Sequence, residues 1–136
     1  MPMSRRAATA ALCTGFSALG TLLAAPLAAA TTGKRQYLTV LYPYAPEARF
    51  DFDYYRAKHL VMMRDWYGAS VGTMQVRRGL RKGDGSPPAF IASLTIEILS
   101  MDGFDAAGKE HFPKLMADLP NFSNITPVGQ IEEIVE

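Results

Sequence analysis

Between Ala89 and Leu99 the chain reads AFIASLTIEIL. Phe90, Ala92, Leu94, Ile96 and Ile98 fall on one side of an extended chain, and Ile91, Ser93, Thr95 and Glu97 on the other. A helix would scatter these two sets around its axis, whereas a strand separates them onto its two faces. The segment therefore predicts a strand with one face on a core and the other facing something more polar. A sheet of this kind needs helices on its apolar side, and this requirement governs how the rest of the chain is read.

Gln36 to Tyr42 (QYLTVLY) is β-branched and aromatic and stops at Pro43, which reads as a strand. Val71 to Arg78 and Pro127 to Val135 read as two more strands. Asp51 is placed to cap a helix that runs to about Tyr67 and stops at Gly68. Ser100 is placed to cap a second helix, Asp102 to His111. Pro113 is expected to kink that helix or to open a short separate turn, PKLMADL, closed by Pro120-Asn121. GLRKGDGSPP is a glycine- and proline-rich connection between two strands. The order strand, helix, strand, strand, helix, strand predicts an α+β domain with the ferredoxin-like βαββαβ arrangement: one antiparallel sheet with both helices on one face. The uncovered face would carry Ile91, Ser93 and Thr95 beside Tyr37, Thr39 and Leu41 or their alternates. That face is too apolar for water and too polar for a pure core. Two copies packed face to face would bury it as a barrel, so a homodimer is expected.

The first thirty residues read as an address. Arg5 and Arg6 open a weakly apolar run from Ala7 to Ala25, and Pro26 precedes Ala28-Ala29-Ala30. This is the order of a secretory signal peptide, cut after Ala30. A membrane anchor is the alternative, but the run carries Thr9, Thr14, Ser17 and Thr21 and is short for a span. Ser4-Arg5-Arg6 matches a fragment of a twin-arginine signal. The expected location is periplasmic or secreted, without stable membrane insertion after cleavage. Removing 30 of 136 residues leaves 106. The single cysteine, Cys13, leaves with the signal, and with it every disulfide, thiol nucleophile or thiolate ligand. Lysine plus arginine fall from 14 to 12 against 13 acids, so no basic stripe remains for nucleic acid.

The candidate site is in FDFDYYRAKHLVMMRDWYG, residues 50–68. Phe52, Tyr55, His59, Met62 and Trp66 follow one another at steps of 3, 4, 3 and 4, which forms one stripe on a regular helix. Arg56, Lys58 and Asp65 lie off it. His59 is then either a satisfied core residue or a site residue under an apolar roof. Burial lowers an imidazole's pKa and keeps it neutral near pH 7, in a form able to accept a proton. His111 precedes Phe112-Pro113 at the expected helix end, where a capping role fits. The two histidines are 52 residues apart with no carboxylate at a ligand spacing, which argues against a zinc site. GDG at Gly83 to Gly85 lies between strands and is a poor dinucleotide signature.

Four stretches carry a family resemblance: Tyr42-Pro43, Asp53-Tyr54-Tyr55, His59-Leu60-Val61-Met62 and Asp118-Leu119-Pro120-Asn121-Phe122. Together they resemble the EthD family, named for ethyl tert-butyl ether degradation, across nearly all of residues 36–135. The chain departs from the family in lacking a proline shortly after His59 and in its export-type N-terminus. The resemblance implies a dimeric α+β barrel with a pocket between sheet and helices, lined by Tyr42, Tyr55, His59, Trp66, Asp118 and Asn121. It implies His59 as proton shuttle, and Tyr42 or Tyr55 as hydrogen-bond donor to a carbonyl or phenol. Trp66 would stack on the ligand, and Asp118 and Asn121 would orient polar groups or cap the turn. The implied activity is a cofactor-independent reaction, of oxidoreductase or isomerase/cyclase type, on a small apolar carbonyl, phenol or ring. The alternatives are a haem-handling protein with His59 or His111 as axial ligand, and a non-catalytic periplasmic binder of small hydrophobic molecules.

Overall fold

The computed structural model describes residues 33–136, and the expected signal segment lies outside them. Strand β1 is Gln36–Pro43. A helical segment, α1, spans 52–67. Strands β2 (Val71–Arg78) and β3 (Phe90–Ile98) follow. Helix α2 is Met101–Asp118, and strand β4 is Val128–Glu133. The sheet order is β2-β3-β1-β4, with every neighbouring pair antiparallel. This is the ferredoxin-like α+β arrangement that the order of elements predicted.

The alternation in β3 sets the layers. Ala92, Leu94 and Ile96 are at most 1% exposed and face the helices. Across the ladder they meet Tyr42, Val40 and Leu38 of β1, so one face of both strands forms the core floor. Leu41 and Thr39 of β1 stand opposite Ser93 and Thr95 on the other face. Among the described residues no helix lies over that second face.

Each helix starts on the cap its sequence announces. Asp51 Oδ1 accepts from the backbone N–H of Asp53 and of Tyr54, at 3.0 and 2.9 Å. Ser100 Oγ accepts from Gly103 N–H at 3.2 Å. The end of α1 needs glycine, because Gly68 holds φ +48 in the left-handed region. The second helix differs from expectation. It does not end near His111 but continues through Pro113 to Asp118. Proline costs the bond to the Lys109 carbonyl, yet both residues are exposed, so water can take that carbonyl. Leu115, Met116 and Leu119 continue the apolar face beyond the proline and hold the extra turns against the sheet. His111 is therefore mid-helix rather than a terminal cap. Among the described residues no helix is long and apolar enough to cross a membrane.

Candidate functional site between the sheet and the helices

The first half of α1 is not a regular α-helix. Residues Tyr55–His59 form a π-turn. A wider turn inserts about one extra residue, so the inward stripe shifts by one position after it. The buried residues of α1 are Tyr55, His59, Met63 and Tyr67, each four after the last. A regular helix predicted Met62 and Trp66 in the last two places; both are only partly buried. Trp66 accordingly lies outside the cavity. It stacks on His111 with ring centroids 5.0 Å apart, and Lys114 lies over its ring at 5.7 Å. Nδ1 of that His111 is buried without a partner.

Asp118 is the hub of the site. At the end of α2, its Oδ2 is 2.8 Å from His59 Nδ1. Its Oδ1 accepts from the Tyr54 hydroxyl at 2.7 Å and from Asn121 Nδ2 at 2.9 Å. The 119–123 turn that carries Asn121 and Phe122 is tied to the start of α1. Asp51 N–H donates to the Phe122 carbonyl at 2.7 Å, and Ser123 Oγ to the Arg49 carbonyl at 2.9 Å. Two segments 59 residues apart in sequence thus meet in a fixed geometry.

Two aromatic rings, themselves in contact at 4.9 Å, hold the imidazole. The Tyr55 ring stacks on His59 at 5.0 Å and 20°, and Phe122 packs on it at 4.6 Å. Tyr55 is 1% exposed and lies behind His59 rather than on the cavity wall. Its hydroxyl is 3.5 Å from that of Tyr42, which does line the cavity.

Burial dominates the electrostatics of the histidine. Desolvation lowers the His59 pKa below its ordinary 6.5, and the hydrogen bond and charge of Asp118 only partly oppose this. For Asp118, desolvation would raise the pKa, but the hydrogen bonds from Asn121, His59 and Tyr54 together win and hold it below 3.8. Near pH 7 the contact is therefore a neutral imidazole donating Nδ1–H to a carboxylate. That tautomer leaves the lone pair on Nε2, which makes no hydrogen bond among the described residues. Burial also raises the pKa of Tyr55 and Tyr42, which keeps both as phenols.

His59 opens onto a cavity of about 80 Å³. The sheet contributes Leu38, Val40, Tyr42 and Leu94; α1 contributes His59, Met63 and Tyr67; α2 and the turn after it contribute Leu115, Leu119 and Phe122. Through Phe112, Met116 and Pro127 the cavity adjoins a groove of about 380 Å³ beside β4, which ends at Ile131. Apart from the histidine and the two tyrosines, every side chain on the cavity wall is apolar.

The structure thus brings Tyr42, Tyr55, His59, Asp118 and Asn121 together. Tyr42 and His59 are on the cavity wall; Tyr55, Asp118 and Asn121 lie behind it. Met63, Tyr67 and Phe122 were missed by sequence reasoning. The repeat of four from Tyr55 to Tyr67 was the signal for the first two, and a regular helix period hid it.

The fold and site define a class of small ferredoxin-like α+β proteins with an apolar pocket between sheet and helices and a buried carboxylate–histidine pair beside it. No family model and no curated protein matches the chain. Among solved structures, an EthD-like protein from Ralstonia eutropha JMP134 is 35% identical with a TM-score of 0.70, over 76% of this chain and 94% of that one. The chain belongs to the EthD family. An EthD family protein from Bacillus halodurans C-125 is more distant, at 16% identity over 69% of this chain and 96% of that one, with a TM-score of 0.47. A dimeric ferredoxin-like protein of unknown function from Thermobifida fusca YX is 13% identical over 76% and 93%, with a TM-score of 0.46.

Proposed function

We propose that the protein is a small enzyme that moves a proton on an apolar carbonyl or phenol compound without a bound organic cofactor, with His59 as the base. The observation that carries this reading is the state of His59. Its Nδ1–H is held by Asp118 at 2.8 Å, while Nε2 has no partner among the described residues and its ring lines an apolar cavity. A satisfied core histidine would have both nitrogens engaged.

In the proposed step Nε2 takes a proton from a C–H beside a carbonyl, or from a phenol O–H. The imidazolium so formed is stabilised by the Asp118 carboxylate, and the electron pair stays on the substrate as enolate or phenolate. Returning the proton to another atom completes an isomerisation. Tyr42 lines the same cavity and is the donor for the developing oxyanion; Tyr55 and Asp118 position the imidazole.

The substrate is a small hydrophobic molecule. The closed end, at about 80 Å³, is roughly half the size of a cavity that takes benzene, so the substrate extends into the adjoining groove. The protein works as a homodimer through the uncovered sheet face, exported by its N-terminal segment to the periplasm or beyond.

The test is exchange of the α-protons of 2-tetralone in D2O. The wild type should accelerate exchange at least about tenfold over buffer, as general-base catalysis readily provides, and His59→Ala should lose the acceleration with an unchanged circular dichroism spectrum. If the wild type accelerates exchange of neither 2-tetralone nor a panel of apolar ketones, the proposal is wrong.

A further inference from the structure

The end of β2 and the connection to β3 have no part in the site described above. Arg77, Arg78, Arg81 and Lys82 fall there within six residues, a third of the 12 lysines and arginines that follow the N-terminal segment. No acid lies among them. The first is Asp84, whose Oδ1 is taken up by the turn, accepting from the backbone N–H and the hydroxyl of Ser86 at 3.0 and 2.6 Å. All four cations are exposed, and among the described residues none forms an ion pair. Like charges held this close repel one another, which the free protein gains nothing from. Leu80 stands between Arg78 and Arg81 in the chain and is 81% exposed. A single exposed leucine is ordinary on a protein surface; one set inside a run of unpaired cations is not.

The connection is a built hairpin. Lys82 N–H donates to the Ser86 carbonyl at 2.9 Å and Gly85 N–H to the Lys82 carbonyl at 3.1 Å, which closes the turn. Gly79 N–H donates to the Ile91 carbonyl at 2.9 Å. A Cβ on Gly79 would overlap the Phe90 carbonyl, so the two arms are in close contact there. Two of the arginines are partly engaged. Arg77 donates to Thr95 Oγ1 on the uncovered sheet face, and Arg78 lies over the Phe52 ring at 4.2 Å. Arg81 donates only to the Lys82 carbonyl, at 3.2 Å. The free end of the hairpin thus presents Leu80, Arg81 and Lys82 together.

We infer that this hairpin is a docking surface for an anionic lipid bilayer, with Arg78, Arg81 and Lys82 against the acidic headgroups and Leu80 inserted among them. Charge complementarity carries the inference, and the leucine selects the partner. An acidic protein surface would pair the cations without a use for Leu80, whereas a bilayer buries it. Nucleic acid fits less well. The chain after its N-terminal segment has 12 cations against 13 acids, and residues 77–89 offer no aromatic ring for a base to stack on. Each basic side chain near an anionic surface raises partition about fivefold, so three of them with one apolar anchor give peripheral, reversible binding. The inference is independent of the proposed reaction at His59.

The experiment is flotation of the protein, as purified from its host, with vesicles of phosphatidylcholine alone or mixed with phosphatidylglycerol. The variants are Arg81→Glu/Lys82→Glu, Leu80→Ser, and Arg64→Glu/Lys109→Glu, which changes the net charge equally at exposed helix positions. All replace exposed side chains and should keep the wild-type melting temperature. The wild type should partition onto the mixed vesicles at least about tenfold more than onto neutral ones, and high salt should release it. Arg81→Glu/Lys82→Glu should lose at least about tenfold of that partition. Leu80→Ser should lose about fivefold with the charges intact, and Arg64→Glu/Lys109→Glu should keep the binding. No preference of the wild type for anionic vesicles overturns the inference. So does binding that survives Arg81→Glu/Lys82→Glu, or that Arg64→Glu/Lys109→Glu loses equally. Binding that needs the hairpin cations but ignores Leu80→Ser overturns the bilayer in favour of an acidic protein or polyanion.

Discussion

At the scale of single residues, the site is a competition at one imidazole. Burial pushes the His59 pKa down and Asp118 pushes it back up, with burial the larger effect. Asp118→Asn removes the charge that opposes burial. The His59 titration midpoint, read by NMR on the C–H protons of the ring, should therefore move further below 6.5. The acid limb of the proton-exchange rate should move with it, while the rate itself falls by about 10²–10⁴-fold as the imidazolium loses its counter-charge. A midpoint that rises would mean Asp118 does not face the ring in solution. The same shift has a consequence for stability. The folded pKa of His59 lies below the unfolded value, so between the two the unfolded chain binds more protons. The stabilisation is complete above about pH 6.5 and is lost as pH falls through the folded value. Asp118, also depressed, adds a loss of the same sign, complete above about pH 4 and falling away at more acid pH. The melting temperature of the wild type should thus fall as pH drops below 6.5. In His59→Gln the fall between pH 6.5 and 5 should be shallower, by up to about 1.4 kcal/mol per pH unit.

At the scale of elements, the π-turn decides which residues face the cavity. Deleting Ala57, an exposed residue inside it, would leave Tyr55, His59, Met63 and Tyr67 at separations of 3, 4 and 4. That pattern suits a regular α-helix, so the deletion should keep the inward stripe and cost little stability. It should also turn His59 relative to Asp118 and lower the exchange rate at least about tenfold, since a misplaced base loses its alignment. Equal loss of melting temperature and activity would show instead that the turn is needed for packing. This turn is also where reading the sequence stopped short. Asp51, Ser100 and Gly68 marked three helix ends, because a cap is a local event written in one or two residues. The alternation of β3 gave both faces of the sheet for the same reason. Trp66 falls on the inward stripe with His59 only if a period of 3.6 holds across a segment that in fact widens at Tyr55. Pro113 read as a kink or the start of a separate turn, because the exposure that lets α2 run through it depends on the whole fold. Tyr42, Tyr55, His59, Asp118 and Asn121 did come together as the family resemblance implied, but the division into wall and support came only from the packing.

At the scale of the molecule, the proposed homodimer would be built on the uncovered face of the sheet. Leu41 stands between Ser93 of β3 and Val128 of β4, and the alternation of β3 puts Ile91 on the side of Ser93. Around these apolar side chains the face is already paired within the chain. Thr39 Oγ1 donates to Glu132 at 2.7 Å, and an Arg77 guanidinium N–H donates to Thr95 Oγ1 at 2.6 Å. Satisfied polar groups around an apolar centre are what an interface between two copies requires. About a hundred residues also bury a modest share of their surface alone, so a second copy adds core where the single chain lacks it. A two-fold interface brings each substitution in twice. Ile91→Asp would therefore put two carboxylates into the proposed contact, and sedimentation should show a dimer for the wild type and a monomer for the variant. Val61→Asp, on the outward side of α1 and 46% exposed in the wild type, should leave the mass unchanged. Because the His59 cavity is on the opposite side of the sheet, the Ile91→Asp monomer should keep the His59 titration of the wild type while melting at a lower temperature. A dimer that survives Ile91→Asp would place the contact elsewhere, and the apolar groove between Phe112 and Ile131 would then be the surface left to test.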